Sequence, residues 1–153
     1  MRNRIVIAIG GNSLIRNGQS SIEQQYACLA ETCKHMAALV AKGYQVVVTH
    51  GNGPQVGHVL LRNELSAASL PPDPLDVCVA ATEGTIGYLL QRSMVAACKK
   101  LSVERQVVTV ITQVLVDRDD SAFYHPTKPI GLWYDREKAA WCSRTYGWRM
   151  EIG

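Results

Sequence analysis

The chain has 153 residues, 47% of them hydrophobic and 19% charged, which excludes an intrinsically disordered protein and predicts one globular domain. Sixteen Lys and Arg residues against thirteen Asp and Glu give a net charge of +3, too small and too evenly spread to favour nucleic-acid binding. No apolar run reaches the length of a membrane span, and the five cysteines contain no Cys-x-x-Cys pair, so we expect reduced core thiols in a cytoplasmic protein.

The chain begins with a predicted strand and a glycine loop. Ile5–Ile9 is an apolar, mostly β-branched run, which is typical of a strand buried on both faces. It leads into Gly10-Gly11-Asn12-Ser13, where glycine lets a ligand approach the main chain and asparagine offers hydrogen bonds. Apolar residues at helical spacing then predict a helix over Ile22–Lys42, which Gly43 closes.

A second strand and a second glycine loop follow. The apolar segment Gln45–Thr49 completes a β-α-β unit, for which we expect parallel strands and a right-handed connection. Gly51, Asn52 and Gly53 then precede a predicted helix over Gln55–Leu65, and free N–H groups before a helix N-terminus favour an anion. Because the carboxyl ends of neighbouring parallel strands share one sheet edge, we expect the two loops to meet there and bind a ligand.

The next part of the chain is predicted as a long helix and a third strand. The Ala-rich segment Leu75–Lys100 has a helical pattern that includes Gly84 and Gly87. Glycine inside a helix costs about 1 kcal/mol relative to alanine, so these residues indicate either a close backbone or ligand, or a tight helix crossing. The Val-rich segment Gln106–Val116 predicts the third strand.

A polar, proline-bounded segment covers Asp117–Gly131 and contains Lys128 between two prolines. The prolines hold the lysine on a stiff, extended backbone, which makes it a candidate for pinning an anionic group. A short helix over Asp135–Thr145, ending at Gly147, and the start of a strand at Trp148–Ile152 complete the predicted order.

Tests for several common motifs fail. There is no Walker A loop and no G-x-S-x-G, and Gly51, Gly53 and Gly57 give a pattern one residue longer than the dinucleotide fingerprint. His50 and His58 do not have the spacing of a helical metal pair, and we expect His50 to tie the loop structurally. The remaining candidates, backbone donors and one lysine, suit phosphoryl transfer.

Five motifs in sequence order resemble those of carbamate kinases, which belong to the amino acid kinase family. They are Ile9-Gly10-Gly11-Asn12-Ser13, Thr49-His50-Gly51-Asn52-Gly53-Pro54-Gln55-Val56-Gly57, Gly84-Thr85-Ile86-Gly87-Tyr88, Thr112-Gln113-Val114 with Val116-Asp117, and Pro126-Thr127-Lys128-Pro129-Ile130-Gly131. The resemblance implies an α/β fold in which an open, mainly parallel sheet lies between helix layers as a three-layer sandwich. It also implies one domain over residues 1–153, with a small protruding subdomain at about 117–150, and a cytoplasmic homodimer.

The resemblance further implies a kinase that converts ATP and carbamate to ADP and carbamoyl phosphate, often in the reverse direction, with Mg²⁺ as the metal partner of the nucleotide. The substrate-binding residues by matching position are Gly10, Gly11, Asn12, Gly51, Asn52 and Gly53. The implied catalytic residues are Lys128, Gly11 and Asn12. Two departures concern substrate preference, since Ser13 stands where alanine is common in the family and Glu83 where glutamine is common.

Members of that family are much longer than this chain, and their carboxyl half carries the nucleotide and Mg-ATP contacts. The resemblance therefore implies an amino-terminal half without the nucleotide site, and we expect no turnover by this chain alone. Two alternatives stay open: a non-catalytic anion-binding fragment or subunit, and a kinase of another small carboxylate or carbamate-like acid. No membrane or nucleic-acid partner and no metal site within the chain are expected.

Overall fold

Strands and helices alternate along the first half of the chain in a computed structural model, which describes residues 3–10, 14, 21–130 and 133–150. The elements are β1 (Arg4–Ile9), α1 (Ile22–Ala41), β2 (Gln45–His50), α2 (Gly53–Ser66), α3 (Leu75–Lys100) and α4 (Arg136–Tyr146). The predicted α/β class with a parallel sheet is confirmed, and each predicted helix forms close to its expected bounds. Among the helices described, none combines the length and the apolar content needed to cross a membrane.

The two described strands form the predicted β-α-β unit. β1 pairs in parallel with β2, in a register that runs from Arg4 opposite Gln45 to Ile9 opposite His50. Exposure alternates along both strands, with Val6 68% and Val47 51% exposed, so the expectation of burial on both faces is wrong for the described part of the chain. The reason is that only one face of this sheet packs on the hydrophobic core.

Helix α1 has defined ends and one buried face. The side chain of Ser21 accepts a hydrogen bond from the backbone N–H of Gln24, and the Gln24 side chain accepts one from the backbone N–H of Ser21, which forms a capping box. Gly43, with a φ of +91°, follows the last turn, as the sequence predicted. The face toward the core contains Gln25, Cys28, Leu29, Cys33, Met36, Ala37 and Val40.

The chain divides into two compact units. The first consists of residues 1–52 and 79–112, and the second of residues 53–78 and 113–153. The first unit holds the sheet, α1 and most of α3, and its buried cluster draws on all of them, with Ile9, Leu29, Ile86 and Leu89 among its members. The second unit holds α2 and α4. The single domain with a subdomain at about 117–150 stays a prediction.

The third strand that the sequence predicts does not form, so this prediction is wrong. Residues 106–116, all of which the structure describes, form no strand, because no strand of the described sheet pairs with them. Side chains of α3 hold this segment instead. Gln91 Nε2 donates to the carbonyl oxygen of Val107 at 2.8 Å, and the alternate residues Val108 and Val110 remain 77% and 73% exposed. The strand predicted from Trp148 is likewise absent over the described residues 148–150.

The two glycines inside α3 differ in what they permit. A Cβ on Gly87 would collide with the side chain of Thr109, whose own Cβ would lie 3.2 Å away. Among the described residues, a Cβ on Gly84 would meet only Ile111 Cδ1, at 4.0 Å. The close neighbour of Gly87 is thus the side chain of Thr109, in the segment of residues 107–112, and neither the backbone nor the helix crossing that the sequence suggested.

Candidate functional site

The two glycine loops begin side by side. Ile9 and His50 are the last pair of the parallel ladder, and the backbone N–H of Gly51 donates to the carbonyl oxygen of Ile9 at 3.0 Å. Gly10 and Gly51 therefore leave the same edge of the sheet, at the carboxyl ends of neighbouring strands. The candidates Gly11 and Asn12 lie outside the described residues, as does Ser13.

Helix α2 starts at the second loop. Gly53 is its first residue, Pro54 lies in its first turn, and that turn contains no acidic side chain. A proline costs little there because the first N–H groups of a helix have no intrahelical partner. A Cβ on Gly53 would meet no atom of the described residues within 4 Å, and its φ lies outside the left-handed region. Among those residues, nothing near Gly53 and nothing in its backbone conformation requires the side chain to be missing.

The side chain of Asn52 is held by a buried threonine. Its Nδ2 atom donates to Oγ1 of Thr82 at 2.8 Å. The Thr82 hydroxyl in turn donates to the carbonyl oxygen of Val79 at 2.7 Å, and Thr82 is only 3% exposed. These residues all belong to the first unit. The candidate residue Asn52 thus has a fixed amide group.

His50 contacts its own loop. Its Nδ1 atom lies 3.3 Å from the carbonyl oxygen of Gly51, and since a carbonyl only accepts, Nδ1 carries the proton in this hydrogen bond. The contact agrees with the structural role expected for His50. On α2, burial and then the charge of Arg62 lower the pKa of His58, so this histidine adds no positive charge near neutral pH.

Glu83 fixes the end of the 107–112 segment. Its Oε2 atom accepts a hydrogen bond from the backbone N–H of Thr112 at 2.9 Å, and the Thr112 hydroxyl lies 3.4 Å from both carboxylate oxygens. An ionised carboxylate only accepts, which suits an N–H donor. A glutamine at this position offers a carbonyl oxygen to the same N–H, so the departure noted at Glu83 is compatible with this contact.

Lys128 lies in the second unit. It is exposed and, within the part of the chain that the structure describes, makes no hydrogen bond or ion pair. Its flanking residues Pro126 and Pro129 belong to no helix or strand. The ammonium group is therefore available to an anion.

The described residues contain no group of three or more His, Cys, Asp or Glu side chains that could hold a metal ion. The donor set of the two loops consists of backbone N–H groups and an amide. Such donors match anionic oxygen atoms.

Sequence reasoning missed two contacts of this region. Thr82 lies 30 residues from Asn52 in the chain, within an ordinary helical pattern, and nothing in its neighbourhood marks it. Glu83 was noted only as a departure, although its contact is with Thr112, the first residue of a quoted motif. The motifs drew attention to both segments. However, no repeating pattern in the sequence indicates a contact between residues 29 or 30 positions apart.

Comparisons with known proteins agree on one family. A model described as the amino acid kinase family matches residues 3–123. The carbamate kinase of Pyrococcus furiosus is 44% identical over 151 residues, which are 97% of this chain and 48% of that enzyme. A solved structure of carbamate kinase from Giardia lamblia bound to citric acid superposes with a TM-score of 0.87 at 34% identity, covering 94% of this chain and 46% of that one. The same enzyme bound to AMP-PNP superposes with a TM-score of 0.81 at 33% identity, covering 99% of this chain and 49% of that one. The chain spans about half the length of the curated relatives that it matches.

Proposed function

The chain belongs to the amino acid kinase family, and we propose that it forms the carbamate and carbamoyl phosphate site of a carbamate kinase. The observation that carries the proposal is the pairing of Ile9 with His50 and the hydrogen bond from Gly51 to Ile9, which start both glycine loops at the carboxyl edge of two parallel strands. Open α/β sheets bind ligands at this edge. The relatives from Pyrococcus furiosus and Giardia lamblia are carbamate kinases. By this resemblance, the proposed reaction transfers a phosphoryl group between ATP and carbamate.

The backbone at the two loops would bind the phosphoryl group. The start of α2 offers N–H groups and the positive end of a helix dipole, and no acidic side chain in its first turn opposes an anion. In phosphoryl transfer, positioning and charge stabilisation supply most of the catalysis. Donors fixed by the strand ends need no reorganisation as charge moves across the transferred group.

Side chains would complete the site. Asn52, whose amide is fixed by Thr82, would contact the carbamoyl group. The motif resemblance gives Asn12 a role in binding the same ligand. Lys128 offers an ammonium group that neutralises the transferred phosphate. Gly10, Gly11, Gly51 and Gly53 leave the main chain open to the ligand. Support for Gly11, Asn12 and Lys128 in these roles comes from the resemblance of their motifs to carbamate kinases.

The proposed reaction uses a nucleotide and Mg²⁺, but we assign no binding site for either of them to the described residues. AMP-PNP is bound by the Giardia lamblia enzyme, which makes ATP or ADP the expected nucleotide. The donors of the two loops fit the transferred phosphoryl group. The described residues contain no cluster of side chains that could bind a metal ion.

A cytoplasmic homo-oligomer, expected as a dimer, completes the proposal. All five cysteines are buried free thiols, in agreement with a reducing compartment. The exposed valines of the outer sheet face, Val6 and Val47, lie opposite each other in the register and favour association through that face.

Calorimetric titration of the 153-residue chain with carbamoyl phosphate, acetyl phosphate and ADP tests the function. Selective binding of carbamoyl phosphate supports the carbamate kinase site. Binding of acetyl phosphate and carbamoyl phosphate with equal affinity indicates a kinase of another small acid or a general anion-binding subunit. If none of the acyl phosphates binds, the proposal fails.

A further inference from the structure

Thr82 of α3 contacts the side chain of Asn52 in the second loop. Thr82 Oγ1 takes part in two short hydrogen bonds, 2.8 Å from Asn52 Nδ2 and 2.7 Å from the carbonyl oxygen of Val79. Thr82 is buried at 3% exposure in the interior of α3. The proposed function assigns roles to the loop residues but none to this hydroxyl group.

The two hydrogen bonds have only one consistent assignment. A hydroxyl carries one proton, and the Val79 carbonyl can only accept, so the Thr82 hydroxyl donates that proton to Val79. Toward Asn52 the hydroxyl therefore has only lone pairs to offer, and the asparagine must present its NH₂ group. The other orientation of the amide would bring two acceptors together without a proton between them. Thr82 thus selects one of the two amide orientations of Asn52.

This selection leaves the Asn52 amide with a defined set of free groups. One N–H is committed to Thr82, and no other described residue takes the second N–H or the Oδ1 atom, which can therefore meet a ligand. A carbamoyl group offers the complement, namely an NH₂ donor and a carbonyl acceptor. Acetyl phosphate offers the carbonyl but has a methyl group in place of the NH₂. A site that hydrogen-bonds a ligand NH discriminates against an analogue without it, because its own polar group is then left unpaired.

We propose that Thr82 is a positioning residue that fixes the Asn52 amide so that the site prefers carbamoyl phosphate to acetyl phosphate. The inference rests on the proposed function for the identity of the ligand. Thr82 acts through Asn52, and no contact between Thr82 and the ligand is needed.

Two substitutions at Thr82 and one control separate this role from a structural one. Thr82→Val keeps the shape and removes the hydroxyl, whereas Thr82→Ser keeps the hydroxyl. Thr85→Val is the matched control, because the Thr85 hydroxyl also donates to a backbone carbonyl of α3, that of Ala81 at 2.9 Å, at an exposed position. Each variant is titrated with both acyl phosphates, and the side-chain NH₂ signals of Asn52 are followed in ¹⁵N NMR spectra of the free chain.

Thr82→Val is expected to weaken carbamoyl phosphate binding by about 3- to 10-fold, the loss of roughly one hydrogen bond, while acetyl phosphate binding changes less. The Asn52 NH₂ signals should move in Thr82→Val and stay in place in Thr82→Ser and Thr85→Val. Unmoved signals in Thr82→Val, or an equal loss for both ligands, would overturn the inference. If the wild-type chain binds neither ligand, the proposed function and the specificity role both fail, and the NMR signals alone decide whether Thr82 fixes the amide.

Discussion

The carbonyl oxygen of Ile9 accepts a hydrogen bond from the backbone N–H of Gly51 at 3.0 Å, which extends the pairing of β1 and β2 beyond the last strand residues. The chain cannot diverge before this point, so the two glycine loops share their origin. We therefore expect an anion at this edge to meet main-chain groups of both loops.

Replacing Gly53 with alanine should leave the fold intact and weaken carbamoyl phosphate binding at least about tenfold, the loss of one hydrogen bond to a charged group. The added Cβ meets no atom of the described residues within 4 Å, so the fold should tolerate it, and we expect it to reduce the room for a ligand beside the second loop. Calorimetry measures the affinity and thermal unfolding checks the fold. Gly84→Ala is the control, because its Cβ also fits without collision but lies on α3. Wild-type affinity in Gly53→Ala excludes close approach of the ligand to this glycine.

Lys128→Met should weaken carbamoyl phosphate binding by about 1.5–3 kcal/mol if the ammonium group closes over the ligand. The side chain is exposed and makes no hydrogen bond or ion pair within the described part of the chain, so its removal should not change stability. Lys100→Met, at an exposed lysine in the last turn of α3, controls for the loss of one positive charge. Equal affinities of the two variants would remove Lys128 from the site.

Gly87→Ala should be less stable than Gly84→Ala by about 1–3 kcal/mol, because its methyl group collides with Thr109 whereas that of Gly84→Ala meets only Ile111 Cδ1 at 4.0 Å. Both substitutions gain the same helix propensity, about 1 kcal/mol, which cancels in the comparison. Urea unfolding of the two variants measures the difference. Equal stabilities would mean that the 107–112 segment yields freely, in conflict with its hydrogen bonds to Gln91 and Glu83.

Cys33 should resist iodoacetamide in the folded chain. Burial, and then its proximity to Cys98, raise the pKa of the Cys33 thiol to about 11, which favours the neutral thiol, so at pH 8 only about one thiol in a thousand is ionised. The resistance should persist to pH 9 and disappear in urea, where all five buried cysteines become accessible. Mass spectrometry of labelled peptides detects the modification. Rapid labelling of Cys33 in the native chain would contradict its burial.

The sequence predicted the helices well, because the spacing of apolar residues and the glycines at helix ends are patterns of neighbouring residues. The spacing of Leu29, Cys33 and Met36 indicates the buried face of α1, and the positions of Gly43 and Gly147 indicate the ends of α1 and α4. Both glycines adopt a positive φ, which most other residues tolerate poorly. The sheet edge was equally predictable, since the β-α-β unit alone fixes parallel strands.

What the sequence did not provide depends on partners distant in the chain. The Val-rich stretch at 107–110 has a strand composition, but a strand needs a neighbouring ladder, and here Gln91 takes the carbonyl of Val107 instead. The contact between Asn52 and Thr82 depends on where α3 passes beneath the loop, which no pattern within either segment records.

A ¹⁵N NMR titration of the 153-residue chain with carbamoyl phosphate tests most directly whether the two glycine loops form one anion site. Backbone N–H groups that bind the ligand should shift together at Gly10, Asn52 and Gly53, with a common dissociation constant, whereas the N–H of Gly51 stays bonded to Ile9. Arg4 and Gln45, which pair at the opposite end of the strand ladder, serve as the internal reference. Saturable shifts confined to the loops are the expected result. Binding whose shifts lie elsewhere, or that leaves the Gly10 and Asn52 amides unchanged, would contradict the proposed site.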